Sequence, residues 1–155
     1  HDKNFEIIFD KFNKKEDLKS KLFFNGEIYD AYSLLIDIIS KAKEEIIVID
    51  NYVDKMTLDI LSKKKINVTV LLITDDKKSK LTKTDMDKFN SEYPLIKVKY
   101  TSDFHDRFII LDNKELYHLG ASLKDLGKKV FGINKIEDKE YLKIIKERIS
   151  DICMK

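Results

Sequence analysis

Three polar side chains lie close together in this sequence and could form a phosphate site. His105 and Arg107 are separated by a single residue and come immediately before an apolar, β-branched run; Ser122 follows soon afterwards. Arginine offers a planar fork of N–H donors that matches phosphate oxygens, and serine adds a further donor. Histidine titrates near neutral pH, so it can act as a nucleophile or a general acid. These residue types predict phosphate binding, with His105 and Arg107 as the candidate catalytic residues.

The arginine at position 107 is informative because this protein uses arginine rarely. The sequence holds 30 basic residues (Lys+Arg), and only Arg107 and Arg148 are arginine. Arg148 lies in a predicted helix, where an exposed ion pair explains it. Arg107 lies at the start of a predicted buried strand, where a rigid donor fork has a specific use. The alternative is a partly buried arginine paired with Asp103, Asp106 or Asp125.

The runs 107–111 and 115–120 predict a β-hairpin, and the length of its turn decides which side chains meet. Side chains alternate between the faces of a strand, so one extra residue in the turn moves the second strand's residues to the other face. With a two-residue turn, three later residues share the face of His105 and Arg107: His118, Gly120 and Ser122. A three-residue loop would reverse this placement.

The two-residue turn gives the later residues roles in substrate binding. Gly120 would let a ligand approach the backbone, and Ser122 would donate to a phosphate oxygen. His118 would lie beside Arg107. A role in the core or in holding the site residues in place is favoured there over direct contact with substrate. Lys124 follows within the next turn and would strengthen the positive field.

Polar residues also follow the first predicted strand, which covers 45–50. They are Asp50, Asn51, Tyr52 and Asp54. Sheets of α/β proteins tend to place ligands at the carboxyl ends of their strands. A strand-to-helix loop with Asp54 as the helix N-cap explains these residues nearly as well, so both interpretations stay open.

The composition is that of an ordinary globular domain. The 155 residues fit one domain, and 43% hydrophobic and 37% charged residues are typical of a soluble protein. A net charge of +2 does not by itself indicate nucleic-acid binding, and the basic stretch 75–83 is more typical of a solvated loop. No signal peptide or membrane-length apolar run is visible. With the single cysteine Cys153 unable to form an internal disulfide, we expect a cytoplasmic protein without a membrane partner.

The apolar pattern alternates between helices and strands. Helices are predicted at 28–44, 55–65, 81–93 and 138–152, and strands at 45–50, 67–74, 95–100, 107–111, 115–120 and 129–133. Residues 8–22 show a loose helical pattern, so 1–22 are expected to form a connector before a domain over 23–155. This order favours an α/β fold with a mixed β-sheet flanked by helices on both faces.

The spacing from His105 to Asp112 resembles the HKD motif of the phospholipase D superfamily, which reads His, one residue, Lys, four residues, Asp. The element Gly120-Ala121-Ser122 is similar to the Gly-Ser that follows this motif. The resemblance covers the chain from about Phe23 to its end, and it implies a phospholipase D-like half-domain.

Three further stretches, FFNGEIYDAYSLL, VIDNYVD and HLGASLKDLGKK, look similar to the C-terminal domain of bacterial and phage-type regulatory proteins. Those regulators carry an N-terminal DNA-binding module. This resemblance, together with a first residue that is His1 rather than Met, leads us to expect an upstream DNA-binding domain outside this sequence.

The resemblance to the superfamily implies a mechanism that needs no metal and no cofactor. Two HKD motifs meet at one site, where one histidine forms a phosphohistidine, the other protonates the leaving oxygen, and water releases the product. Since this chain has one motif, the resemblance implies a homodimer with His105 from each subunit and a nucleic acid or another phosphodiester as substrate. Ser122 would contact phosphate, whereas Asp112, of opposite parity to His105 along the strand, would have a structural role in the turn.

Three positions depart from the family's pattern. Arg107 replaces the motif lysine, Ala121 is inserted into the Gly-Ser element, and Asp125 is a possible substitute for the asparagine that usually follows. The sequence therefore predicts a phosphodiesterase, with a nuclease favoured. The alternative is a catalytically degenerate module that dimerises and binds phosphate for a DNA-binding regulator. A lipid phosphodiesterase is disfavoured because no membrane-facing surface is evident.

Overall fold

A seven-stranded mixed sheet forms the centre of the protein. The computed structural model describes residues 20–23, 27–93, 96–125 and 131–154. The strands are β1 (Ser20–Phe23), β2 (Glu45–Ile49), β3 (Thr69–Thr74), β4 (Ile96–Tyr100), β5 (Arg107–Leu111), β6 (Glu115–Leu119) and β7 (Phe131–Ile136). Their order is β1-β7-β6-β5-β2-β3-β4, in which β2, β3 and β4 are parallel and every other neighbouring pair is antiparallel.

Helices connect the strands and cover the sheet. Within the described ranges they are α1 (Ile28–Lys41), α2 (Lys55–Leu61), α3 (Lys83–Glu92), α4 (Lys139–Cys153) and a 3₁₀-helix over Leu123–Asp125. Asp54 and Thr82 cap α2 and α3 by accepting backbone N–H groups, which gives Asp54 the predicted N-cap role. None of the helices in this part of the chain is long and apolar enough to cross a membrane.

The central strands are buried on both faces. Ile46 and Val48 of β2 pack into a core beneath α1, α2 and α3, whereas Ile47 and Ile49 pack into a second core against Ile149 of α4. Strands covered on both faces are apolar throughout rather than alternating. The predicted mixed sheet with helices on both faces is therefore confirmed.

The predicted N-terminal helical segment differs from the structure in the type of element at its end. Residues 20–22, which the loose helical pattern placed in an N-terminal helical segment, begin β1, because they pair with β7 from Ser20 opposite Asn134 onwards. Hydrogen bonding to a neighbouring strand outweighs weak local periodicity. The remainder of that segment, 8–19, lies outside the described residues.

The β5–β6 hairpin has a three-residue loop. Arg107 pairs with Leu119 and Phe108 pairs with His118. The placement that a two-residue turn predicts, with His118 and Gly120 on the face of Arg107, is therefore wrong. Asp112 and Asn113 adopt positive φ angles of 55° and 56°. Aspartate and asparagine tolerate this left-handed conformation better than most residues, which makes the longer loop accessible.

Candidate active site

Strand direction brings the polar residues singled out above to one edge of the sheet. β2 ends at this edge, β5 begins there, and β6 ends there. Asp50 therefore lies near Arg107, the first residue of β5, and near Ser122, which follows β6. This part of the structure is termed the Asp50 edge.

A buried carboxylate lies at the centre of the Asp50 edge. Asp50 is 0% exposed and accepts the Ser122 hydroxyl at 2.9 and 2.8 Å on its two oxygens. It also accepts the backbone N–H groups of Tyr52 and Leu123, each at 2.9 Å. Burial raises the pKa of Asp50, while these hydrogen bonds and the positive charge of Arg107 oppose the rise. The carboxylate thus joins the segment after β6 to the loop after β2.

Ser122 is part of this network rather than an open donor. Its side chain is buried. The hydroxyl donates to Asp50 and, at 3.3 Å, to the carbonyl of Tyr52. The sequence predicted a contact between Ser122 and substrate phosphate. In this arrangement the hydroxyl instead holds the 3₁₀-helical segment in place.

Arg107 and His105 form the accessible part of the Asp50 edge. His105 is exposed, and Arg107 is half-buried with its charge close enough to act on Asp50. The Arg107 Nε is buried and has no hydrogen-bond acceptor among the described residues. Because the Nε itself is enclosed, an anionic ligand would meet the half-buried guanidinium at its exposed part.

The alternative ion pairs for Arg107 do not form. Asp106 instead approaches the Nε2 of His118 at 3.7 Å, and Asp125 binds the Lys124 ammonium. Asp103 makes no ion pair with Arg107 in the described part of the chain either. The guanidinium therefore keeps its donors for another partner.

Lys124 adds a second cation to the same edge. Its ammonium lies 2.9 and 3.0 Å from the two carboxylate oxygens of Asp125 and 5.6 Å from the ring centroid of Tyr52. The hydrogen bonds that the ammonium donates to Asp125 raise the pKa of Lys124, so the ammonium stays charged at neutral pH. Gly120 is exposed nearby, and its N–H donates to the carbonyl of Gly132 at 2.8 Å.

Two predicted residues lie apart from these cations. His118 is on the opposite face of the hairpin, with its ring 5.3 Å from that of Phe108. Asp112 is at the far end of β5, where its carboxylate accepts the backbone N–H groups of Lys43, Glu44 and Glu45 at 3.0, 2.7 and 3.0 Å. This contact joins the hairpin loop to the segment between α1 and β2.

Asn51 is a further site residue, which the sequence indicated only as part of a polar loop. Its buried side-chain amide donates to the carbonyl of Phe104 at 2.6 Å. Phe104 precedes His105 directly, so this hydrogen bond fixes the start of the segment that carries the imidazole. The signal for Asn51 was its position just after a buried strand, at the end where α/β sheets place ligands.

The available chemistry is that of an anion site with an imidazole. Arg107 and Lys124 supply positive charge, and His105 supplies a group that can attack or donate a proton. The described residues contain no group of three or more His, Cys, Asp and Glu side chains arranged to hold a metal ion.

Solved structures share this fold. NucT from Helicobacter pylori aligns with a TM-score of 0.64 and 19% identity over 88% of this chain and 96% of NucT. Nuc from Salmonella typhimurium, a phospholipase D family member, aligns with a TM-score of 0.56 and 17% identity over 86% of this chain and 92% of Nuc.

The chain has a phospholipase D-like fold. This confirms the predicted resemblance at the level of the fold. The archaeal chromatin protein TrmBL2, which binds DNA, also aligns with a TM-score of 0.56 and 13% identity, over 97% of this chain and 59% of TrmBL2. No family model and no curated protein matches the sequence, so the relationship rests on structure.

Proposed function

We propose that this phospholipase D-like domain is a metal-independent phosphodiesterase, and specifically a nuclease, that acts as a homodimer. The observation that carries the proposal is the half-buried Arg107 guanidinium, which forms no ion pair with a carboxylate among the described residues and lies two residues after the exposed His105. A phosphodiester would accept hydrogen bonds from the exposed part of this guanidinium and would bring its phosphorus to the imidazole. Likeness in fold to Nuc, a phospholipase D family member, supports the same chemistry.

The proposed reaction has two displacements at phosphorus. One nitrogen of His105 attacks phosphorus, so a P–N bond forms while the P–O bond to the leaving group breaks. His105 of the second subunit gives its proton to the leaving oxygen. That second histidine then takes a proton from water as the water oxygen attacks phosphorus, which breaks the P–N bond and regenerates both imidazoles.

Arg107 and Lys124 have electrostatic roles in this proposal. The Arg107 guanidinium would contact the equatorial phosphate oxygens, which gain negative charge during each displacement, and the Lys124 ammonium would add to the positive field beside them. Both charges would stabilise the transition state more than the ground state. Asp50, Ser122 and Asn51 act through other groups, because they position the segments that carry Lys124 and His105. The rigid fork of arginine suits two oxygens at once, which a lysine does not.

The alternative is a phosphate-binding and dimerisation module of a DNA-binding regulator. Two observations favour it: the Ser122 hydroxyl is engaged with Asp50, and arginine stands at the motif's lysine position. Likeness in fold to the DNA-binding TrmBL2, of which this chain covers 59%, fits the same alternative.

Hydrolysis assays with matched histidine variants separate these functions. Labelled single-stranded DNA, duplex DNA, RNA and bis(p-nitrophenyl) phosphate would be incubated with the protein in EDTA, beside His105→Ala and His118→Ala. The enzyme proposal expects His105→Ala to abolish hydrolysis and His118→Ala, on the opposite face, to retain most of it. A dimer that turns over none of these substrates would favour the binding module.

A further inference from the structure

Two lysines from separate segments of the chain approach the ring of Tyr52 beside the Asp50 edge. The ammonium groups of Lys78 and Lys124 lie 5.5 and 5.6 Å from the ring centroid. An ammonium within about 6 Å of an aromatic centroid is attracted by the π electrons of the ring. One aromatic side chain therefore holds two like charges in the same small region.

The backbone of Tyr52 is fixed from both sides. Its N–H donates to Asp50 at 2.9 Å, and its carbonyl accepts the Ser122 hydroxyl at 3.3 Å. Both partners belong to the buried network on which the charge of Arg107 acts. The backbone of Tyr52, which carries the ring that both lysines approach, is therefore held at the Asp50 edge.

The loop that carries Lys78 is also anchored. Lys80 donates its N–H to the carbonyl of Val53 at 2.9 Å, and the backbone of Ser79 bonds to the carbonyl of Asp75 at 2.8 Å. The basic stretch 75–83, predicted to be a solvated loop, is exposed at all four of its lysines, and its anchored backbone presents Lys78 to Tyr52.

The charge on this surface is incompletely balanced. Lys124 has Asp125 as a partner, whereas the Lys78 ammonium forms no ion pair with any carboxylate in the described ranges. The exposed residues of its turn are polar: Asp76, Lys77, Lys78 and Lys80. A membrane-binding surface would combine its cations with exposed apolar side chains, which this turn does not offer.

We propose that Tyr52, Lys78 and Lys124 form a second phosphate subsite, the Tyr52 subsite, that binds the backbone of a polynucleotide next to the phosphate held by Arg107. This inference rests on the proposed function, since it takes Arg107 as the contact to the reacting phosphate. A polynucleotide presents regularly spaced phosphates and occupies both places, whereas a small phosphodiester occupies one. The Tyr52 subsite thereby selects polymers over small substrates.

Binding of a labelled dT12 oligonucleotide and of inorganic phosphate tests the subsite. All proteins carry His105→Ala to prevent turnover. The double variant Lys78→Gln/Lys124→Gln is compared with Lys63→Gln/Lys65→Gln, which removes the same charge from exposed positions beyond the other end of α2. The subsite variant should bind dT12 about tenfold more weakly, and its slope of log K against log salt should fall by about 1.4, or about 0.7 for each lost phosphate contact. Phosphate affinity should be unchanged in the control variant. In the subsite variant it should fall less than dT12 affinity, because Lys124 also adds to the positive field around the phosphate held by Arg107.

Tyr52 variants report whether the ring organises the lysines. Tyr52→Leu should weaken dT12 binding several-fold, and Tyr52→Phe, which keeps the ring, should not. Equal dT12 affinity in the subsite and control variants would overturn the proposal. So would an effect of the lysine substitutions on binding to vesicles of anionic lipid with none on dT12.

Failure of the proposed function would look different from failure of the subsite. If Arg107→Ala leaves phosphate affinity unchanged and the wild-type protein hydrolyses nothing, the phosphodiesterase proposal is wrong. A selective loss of dT12 binding in the lysine variant would then still support a polynucleotide-binding surface at Tyr52. If hydrolysis depends on His105, but Lys78→Gln/Lys124→Gln binds dT12 as tightly as Lys63→Gln/Lys65→Gln, only the proposal of the Tyr52 subsite is wrong.

Discussion

The side-chain amide of Asn51 donates a hydrogen bond of 2.6 Å to the carbonyl of Phe104, the residue directly before His105. The loop after β2 therefore fixes the entry to β5, although the two residues are 53 positions apart in the sequence. An imidazole at an exposed strand entry has little else to define its position, so we assign Asn51 a positioning role.

Replacing Asn51 with alanine should loosen this segment. One hydrogen bond is lost, so the free energy of unfolding should fall by about 1 kcal/mol. Hydrolysis should show a lower kcat with little change in KM, because the substrate contacts at Arg107 remain. The exposed Asn67→Ala, measured by the same denaturant titration and steady-state kinetics, should change neither. Unchanged kcat in Asn51→Ala would remove its positioning role.

Arg107→Ala should weaken the binding of phosphate or sulfate by about 10- to 100-fold, the range expected from about 1.5–3 kcal/mol for a hydrogen bond to a charged group. Calorimetric titration measures this change. Arg148→Ala, on the exposed side of α4, removes the other arginine and should have no effect. Arg107→Lys addresses the departure from the HKD pattern: faster hydrolysis would show that arginine restrains turnover at this site.

Asp50 and Ser122 should behave as one unit in stability measurements. In Asp50→Asn, several donors face an amide that cannot accept hydrogen bonds from all of them. The free energy of unfolding should therefore fall by about 2–3 kcal/mol. Ser122→Ala should lower the free energy of unfolding by about 1 kcal/mol. A double-mutant cycle of Asp50 and Ser122 should give a coupling energy of about 0.5 kcal/mol or more. If Ser122→Ala instead weakens phosphate binding and leaves stability unchanged, Ser122 contacts substrate as the sequence suggested.

The stabilisation supplied by Asp112 should disappear in acid. Burial opposes ionisation of this carboxyl, but hydrogen bonds from Glu45, Lys43 and Glu44 outweigh burial and lower its pKa below 3.8. Because the folded-state pKa is lowered, the stabilisation is complete above the unfolded-state pKa and is lost as pH falls through the folded-state value. Asp112→Asn should therefore be destabilised relative to wild type at pH 7, and this difference should shrink as pH falls through the folded-state pKa. A pH-independent difference would contradict this linkage; the exposed Asp87→Asn is the control.

A shared active site makes activity depend on the composition of the dimer. In randomly mixed dimers of wild-type protein and His105→Ala, activity should fall with the square of the wild-type fraction, because each site needs both imidazoles. Independent subunits would give a linear decrease. Unmixed dimers with the same total wild-type content provide the control.

The elements were predictable where the pattern was strong and local. β5 was predicted with its observed bounds, and α1 and β2 to within a few residues, because apolar periodicity and β-branched runs define them. The hairpin register was not predictable. It depends on positive φ angles at Asp112 and Asn113 and on hydrogen bonds that Asp112 accepts from the backbone of a loop about 68 residues earlier. The bond between Ser122 and Asp50, 72 residues apart, leaves no local signal either.

The strand that begins at Arg107 is held at both ends. Asp112 binds the loop before β2 at one end, and Asn51 binds the residue before His105 at the other. A strand secured in this way cannot slide along its own axis when an anion arrives, so the site is preorganised and little conformational entropy is lost on binding. It also follows that a substitution at Asp112, at the opposite end of the strand from any ligand, should reduce the precision with which the imidazole is presented.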